Sequence, residues 1–149
     1  MKIVGFESNN NVRLGLVDGD NVIDLQAAGA NLPGDLCELL RRSNGDLRPL
    51  AALAKNAPAS AHRPLAGLKF ALPVARPGKI ICLGLNYLDH VKEGPQRDNI
   101  PKFPSIFFRV LTSMVPHLQA IVRPQESIQN NKEAQVVAIL GKRAKQQTV

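Results

Sequence analysis

The 149-residue chain is 44% hydrophobic and carries 19 basic against 12 acidic side chains, a net charge of +7. That suffices for one ordinary domain or two small ones, while no run approaches the roughly 18 consecutive apolar residues of a membrane span. The charge excess sits in the second half, since residues 1–74 hold 8 basic and 7 acidic groups and residues 75–149 hold 11 and 5. There the basic residues are scattered singly apart from Lys142, Arg143 and Lys145, with no interleaved aromatic platform. The pattern argues against a nucleic-acid surface.

From the start, Met1-Lys2-Ile3-Val4-Gly5 enters a strand pattern directly, without a signal-peptide apolar core. Residues 2–6, 12–17 and 21–25 predict a three-strand meander, joined by the Asn-rich turn Ser8-Asn9-Asn10-Asn11 and by Asp18-Gly19-Asp20. Asp35 then caps a short helix with Glu38 at the capping-box position and Leu36, Leu39 and Leu40 on one face. A second helix is expected over 47–54, and the breaker-rich stretch 57–64 suits a connection that exposes His62. Cys37 and Cys82 fall in apolar patterns and read as buried small hydrophobes, which suits a reducing, cytoplasmic setting. Residues 1–70 thus form a small β-rich module, and residues 71–149 a second one.

In the second module, residues 79–84 read as a buried strand handing over to Gly84-Leu85-Asn86-Tyr87-Leu88-Asp89-His90-Val91-Lys92-Glu93. On a helical turn the three-residue spacing puts His90 and Glu93 on one face, within hydrogen-bonding reach. A carboxylate beside an imidazole orients the ring and raises its basicity, as a general base requires. Residues 94–104, with three prolines and mixed charge, form either a lid or a plain solvent loop. Strands are expected over 105–109, 120–123 and 135–140.

Pro77-Gly78-Lys79-Ile80-Ile81-Cys82-Leu83-Gly84-Leu85-Asn86-Tyr87, followed by His90 and Glu93, resembles the opening of the catalytic domain of the fumarylacetoacetate hydrolase family. Phe107-Phe108-Arg109-Val110-Leu111-Thr112-Ser113, Ile121-Val122-Arg123-Pro124 and residues 133–144 resemble its next blocks, in order. The resemblance implies an α+β, mostly β fold, in which a small N-terminal β/α module leads into a mixed β-roll catalytic domain. It covers about half of a usual member and stops just after the metal-ligand strand.

The implied chemistry is metal-dependent hydrolysis of a carbon–carbon bond in a β-diketo acid or acylpyruvate, or isomerisation or decarboxylation of an oxo-dicarboxylic acid. By resemblance His90 takes the proton of water and Glu93 orients His90, while a divalent cation, Mg²⁺ or Mn²⁺, stabilises the departing enolate. Asn86, Tyr87 and Arg109 are the implied substrate-binding residues, with packing roles open for Tyr87 and for Arg109 against Phe107. Thr112 and Ser113 either bind a carboxylate or cap a turn.

The metal positions depart from the pattern. Glu133 keeps the first ligand place, but Gln135 offers a neutral carbonyl where a hard cation wants a carboxylate, and Asn131 and Lys132 replace an acidic and an aromatic residue. A Gly-His-Gly-like turn is replaced by Pro116-His117-Leu118-Gln119-Ala120, and leucine does not cheaply take a glycine's positive φ. The alternative is therefore an inactive, truncated remnant that serves as a binding or dimerisation module. As an enzyme of this family the chain is expected to be a homodimer acting on a small oxo-acid.

Overall fold

The computed structural model describes residues 1–29, 31–94, 102–130, 132–134, 136–141 and 143–146. They divide into two units, Met1–Ala75 with Val115–Val149, and Arg76–Met114.

The first unit is built on the expected meander of β1 (Ile3–Ser8), β2 (Asn11–Asp18) and β3 (Asn21–Asp24). Asn9 and Asn10 both take positive φ between the paired residues Ser8 and Asn11, the two-residue turn whose twist suits a hairpin. Gly19 supplies the positive φ of the next tight turn, between Asp18 and Asn21. Two short strands extend the sheet, β4 (His62–Pro64) on β3 and β5 (Phe70–Ala71) on β1, giving the order β4-β3-β2-β1-β5. Thus 57–64 is more than a connection. Its last three residues pair with Val22 and its neighbours, and His62 is exposed as expected.

Helix α1 (Leu36–Arg42) begins where Asp35 accepts a hydrogen bond from the Glu38 amide at 3.0 Å. Half of the expected capping box forms. The Glu38 carboxylate turns along the helix to Arg41 and Arg42 instead of back to the Asp35 amide. Helix α2 (Pro49–Lys55) starts with proline at its first position, where no amide hydrogen is needed. Leu39 of α1 and Leu50 and Ala54 of α2 join Leu14, Leu16, Ile23 and Leu25 in one apolar core. Cys37 is half-buried rather than buried, and burial first, then Asp35, pushes its thiol pKa up.

The registers gather Phe6, Arg13, Gly15, Val22, Asp24 and Arg63 on the sheet's opposite face. A side chain at Gly15 would collide with Val22 and Phe6, so the missing Cβ is what seats those two side chains. Asp24, fully buried, binds Arg13 at 2.9 Å and Arg63 at 3.2 Å. It also accepts the Gln26 and Ala27 amides at 3.1 Å.

The second unit contains β6 (Ile81–Gly84), α3 (Leu88–Glu93) and β7 (Ser105–Phe108), with β6 and β7 antiparallel. The strand expected over 79–84 is present but not buried. Its odd positions Ile81 and Leu83 are exposed together with Ile106 and Phe108 across the pair, and Cys82 is half-buried.

The strands expected over 120–123 and 135–140 do not form among the described residues, and Gln135 itself lies outside them. Val122 and Val136 are almost fully exposed. A strand exists through its ladder partner, and apolar, β-branched sequence alone does not create one. The described residues are therefore α+β, mostly β, with seven strands against three short α-helices.

Leu118 adopts a left-handed backbone all the same, at φ 63°. That conformation costs a non-glycine residue about 1–2 kcal/mol, and the Leu118 side chain is largely exposed, so little packing offsets it. Leu118→Gly is expected to raise the unfolding free energy by about 0.5–1 kcal/mol. Urea denaturation that shows no gain would remove the strain from the account.

Candidate functional site

The segment carrying His90 and Glu93 is a strand–turn–helix. After β6, Leu85 takes φ 56°, an uncommon conformation for a leucine. It redirects the chain into Asn86 and Tyr87, and Tyr87 is the extended N-cap residue whose carbonyl accepts the Val91 amide at 3.0 Å. Val91 is the buried anchor of α3. His90 and Glu93 stand exposed on this helix. The expected His90–Glu93 hydrogen bond is not made among the described residues. Within α3, Lys92 pairs instead with Asp89, at 3.4 Å.

The β6–β7 pairing sets Gly84 opposite Ser105 and so returns residues 102–104 to the turn. Between them lies a cleft of about 260 Å³ lined by Leu85, Asn86, Leu88, Val91, Lys102 and Phe103, with Gly84 and Pro104. Of the sequence-derived site residues Asn86 lines this cleft, and neither His90 nor Glu93 is among its described lining residues. Lys102 was missed, because nothing local marks it. Residues 95–101, most of the candidate lid, lie outside the described residues.

Arg109 follows β7. Its guanidinium lies 5.1 Å from the centre of the Phe107 ring, and its amide donates to the Ile80 carbonyl at 3.2 Å. The Ser113 hydroxyl donates to the Val110 carbonyl at 2.7 Å, capping the 3-10 turn Leu111–Ser113. His117 packs edge-on against Phe70, with ring centres 4.9 Å apart.

Glu133 belongs to the other unit, exposed in a stretch without regular structure, whereas Gln135 and Asn131 lie outside the described residues. Among the described residues no three His, Cys, Asp or Glu side chains come close enough to hold a metal ion. This donor set does not fit a magnesium or manganese site, which draws on several oxygens and at least one or two carboxylates. The 149-residue chain is therefore expected to bind Mg²⁺ and Mn²⁺ with a Kd weaker than about 10⁻⁴ M, the range of weak cation modules. Calorimetry yielding one tight site per chain would contradict this.

The family model of the fumarylacetoacetate (FAA) hydrolase C-terminal domain matches residues 79–149. Over 150 residues the chain is 34% identical to the mitochondrial oxaloacetate tautomerase FAHD2A of Bos taurus, covering 97% of this chain and 46% of the relative. The mitochondrial oxaloacetate tautomerase fahd2 of Xenopus laevis is 35% identical over 151 residues, with the same coverage of 97% and 46%. The chain belongs to the fumarylacetoacetate hydrolase family. A third member, the fumarylacetoacetate hydrolase domain-containing protein 2 homolog of Dictyostelium discoideum, is 32% identical over 133 residues, 89% of this chain and 43% of its own length.

The chain spans a little under half the length of these family members. Two of the three carry a mitochondrial designation, where the sequence alone suggested the cytoplasm. No helix of the described residues is long and apolar enough to cross a membrane.

Proposed function

We propose that this fumarylacetoacetate hydrolase family chain serves keto–enol isomerisation of a small oxo-dicarboxylic acid such as oxaloacetate, in preference to carbon–carbon bond hydrolysis. The observation that carries the reading is the likeness, along 97% of the chain, to relatives named oxaloacetate tautomerases. The chemistry at hand agrees with it. Hydrolysis requires an activated water and a stabilised carbon leaving group. Tautomerisation requires only that one proton leave the carbon beside the carbonyl and arrive on the carbonyl oxygen.

An exposed imidazole on a short, anchored helix suits such a transfer. In the ketonisation direction His90 takes the enol's hydroxyl proton and returns a proton to the adjacent carbon; the reverse direction inverts these steps. Glu93, three residues on along α3, carries a negative charge on the same helix face, complementary to the charge that passes through the ring during the transfer. Asn86 offers amide hydrogens to an oxygen that becomes negative in the enolate. No step is assigned to a metal ion, because the donors among the described residues do not fit one.

The test is the decay of the ultraviolet absorbance of enol-oxaloacetate with and without the 149-residue chain. Acceleration above the buffer rate is expected. If the chain leaves that rate unchanged while cleaving an acylpyruvate, the hydrolytic reading replaces this one.

A further inference from the structure

The cleft of the second unit contains a residue for which neither the sequence pattern nor the family likeness gives a role. Its lining is polar and apolar in about equal parts, with Leu85, Leu88, Phe103 and the buried Val91 supplying the apolar share. Asn86 and Lys102 complete the lining and are its two polar side chains. No acidic residue is among the described lining residues. Lys102 has no ion pair among the described residues, whereas Lys69 is held by Glu7 at 2.6 Å and Lys92 by Asp89 at 3.4 Å. A site with one ammonium and one amide is complementary to an anion that also carries a neutral acceptor.

We propose that this cleft binds a small 2-oxo carboxylate, with Lys102 holding the carboxylate and Asn86 donating to the neighbouring carbonyl oxygen. The volume of about 260 Å³ lies just below the range of pockets for drug-sized ligands and suits a molecule of a few carbons. The left-handed turn at Leu85 keeps Asn86 in the cleft wall, and the β6–β7 register brings Lys102 to it from the far side of the ribbon. Lys102 is thus a specificity residue for acids over their esters or amides. The inference deepens the oxo-acid reading above and rests on it for the choice of ligand, though binding is measured without turnover.

The experiment titrates the full 149-residue chain with oxalate, which cannot tautomerise, and follows binding by calorimetry and by amide NMR shifts. Saturable binding is expected, with shifts at Asn86 and Lys102. Lys102→Gln should weaken it about ten- to a hundredfold, the usual worth of a charge-assisted hydrogen bond. Lys102→Arg, which keeps the charge, should restore most of the affinity. Lys102 is exposed, so both variants should fold, and the NMR spectra report whether they do.

Absence of saturable oxalate binding would overturn the proposal, as would equal affinity in Lys102→Gln. Displacement by inorganic phosphate at equal affinity would also overturn it, because the site would then lack carboxylate selectivity. Oxalate binding that depends on Lys102, together with no acceleration of enol decay, would retain this site and reject only the isomerase reading.

Discussion

His90→Ala is expected to lower the rate of enol–keto conversion about 10²–10⁴-fold, the range by which a positioned general acid–base accelerates a proton transfer. The substitution tests chemistry more than folding, because His90 is exposed and α3 is anchored through Val91. Alanine is also the better helix former. Glu93→Gln should cost less than His90→Ala, since it removes a nearby charge but leaves the imidazole in place. A correctly folded His90→Ala chain with parental turnover would take His90 out of the mechanism. Equal losses in both variants would mean that the two side chains act as one unit in the bound state despite the missing hydrogen bond.

What could be read from the sequence follows from how local the determining physics is. The β1–β2–β3 meander was legible because Asn9-Asn10 and Gly19 specify tight turns within two residues, and α1 because Asp35 caps it three residues before Glu38. Strands β4 and β5 were not legible. Each is only two or three residues long and exists through partners far away, Val22 for Arg63 and Phe6 for Phe70.

The opposite error arose at 120–123 and 135–140, where apolar runs promised strands that no described partner completes. The candidate site residues divide in the same way. His90, Glu93 and Asn86 were marked by spacing and flanking motif, but Lys102 reaches the cleft only through the register that sets Gly84 opposite Ser105. At Leu118 and Leu85 a propensity rule was overridden, since both leucines take positive φ in turns where the chain path requires it.

Asp24 is another residue whose importance comes from register rather than from its neighbours in sequence, and its removal is expected to have the largest effect on stability. Lying on the sheet face opposite the helices, it has no solvent exposure and balances two guanidinium groups, from Arg13 on β2 and Arg63 on β4. One carboxylate oxygen also accepts the Gln26 and Ala27 amides and thereby fixes the chain where it leaves β3. Asp24→Ala leaves two cations facing each other beside Phe6, whose ring the Arg63 guanidinium overlies at 5.9 Å, and strips two amides of their acceptor. Breaking a buried ion pair by removing one partner costs about 3–5 kcal/mol, a large fraction of the roughly 5–15 kcal/mol that holds a domain folded. Asp24→Asn keeps an acceptor for the amides and loses only the charge, so it should fall between parent and Asp24→Ala. Equilibrium urea unfolding measures all three. If Asp24→Ala is within about 1 kcal/mol of the parent, typical of an exposed pair, then Asp24 is not the buried anchor of this sheet and the two arginines are held by solvent instead.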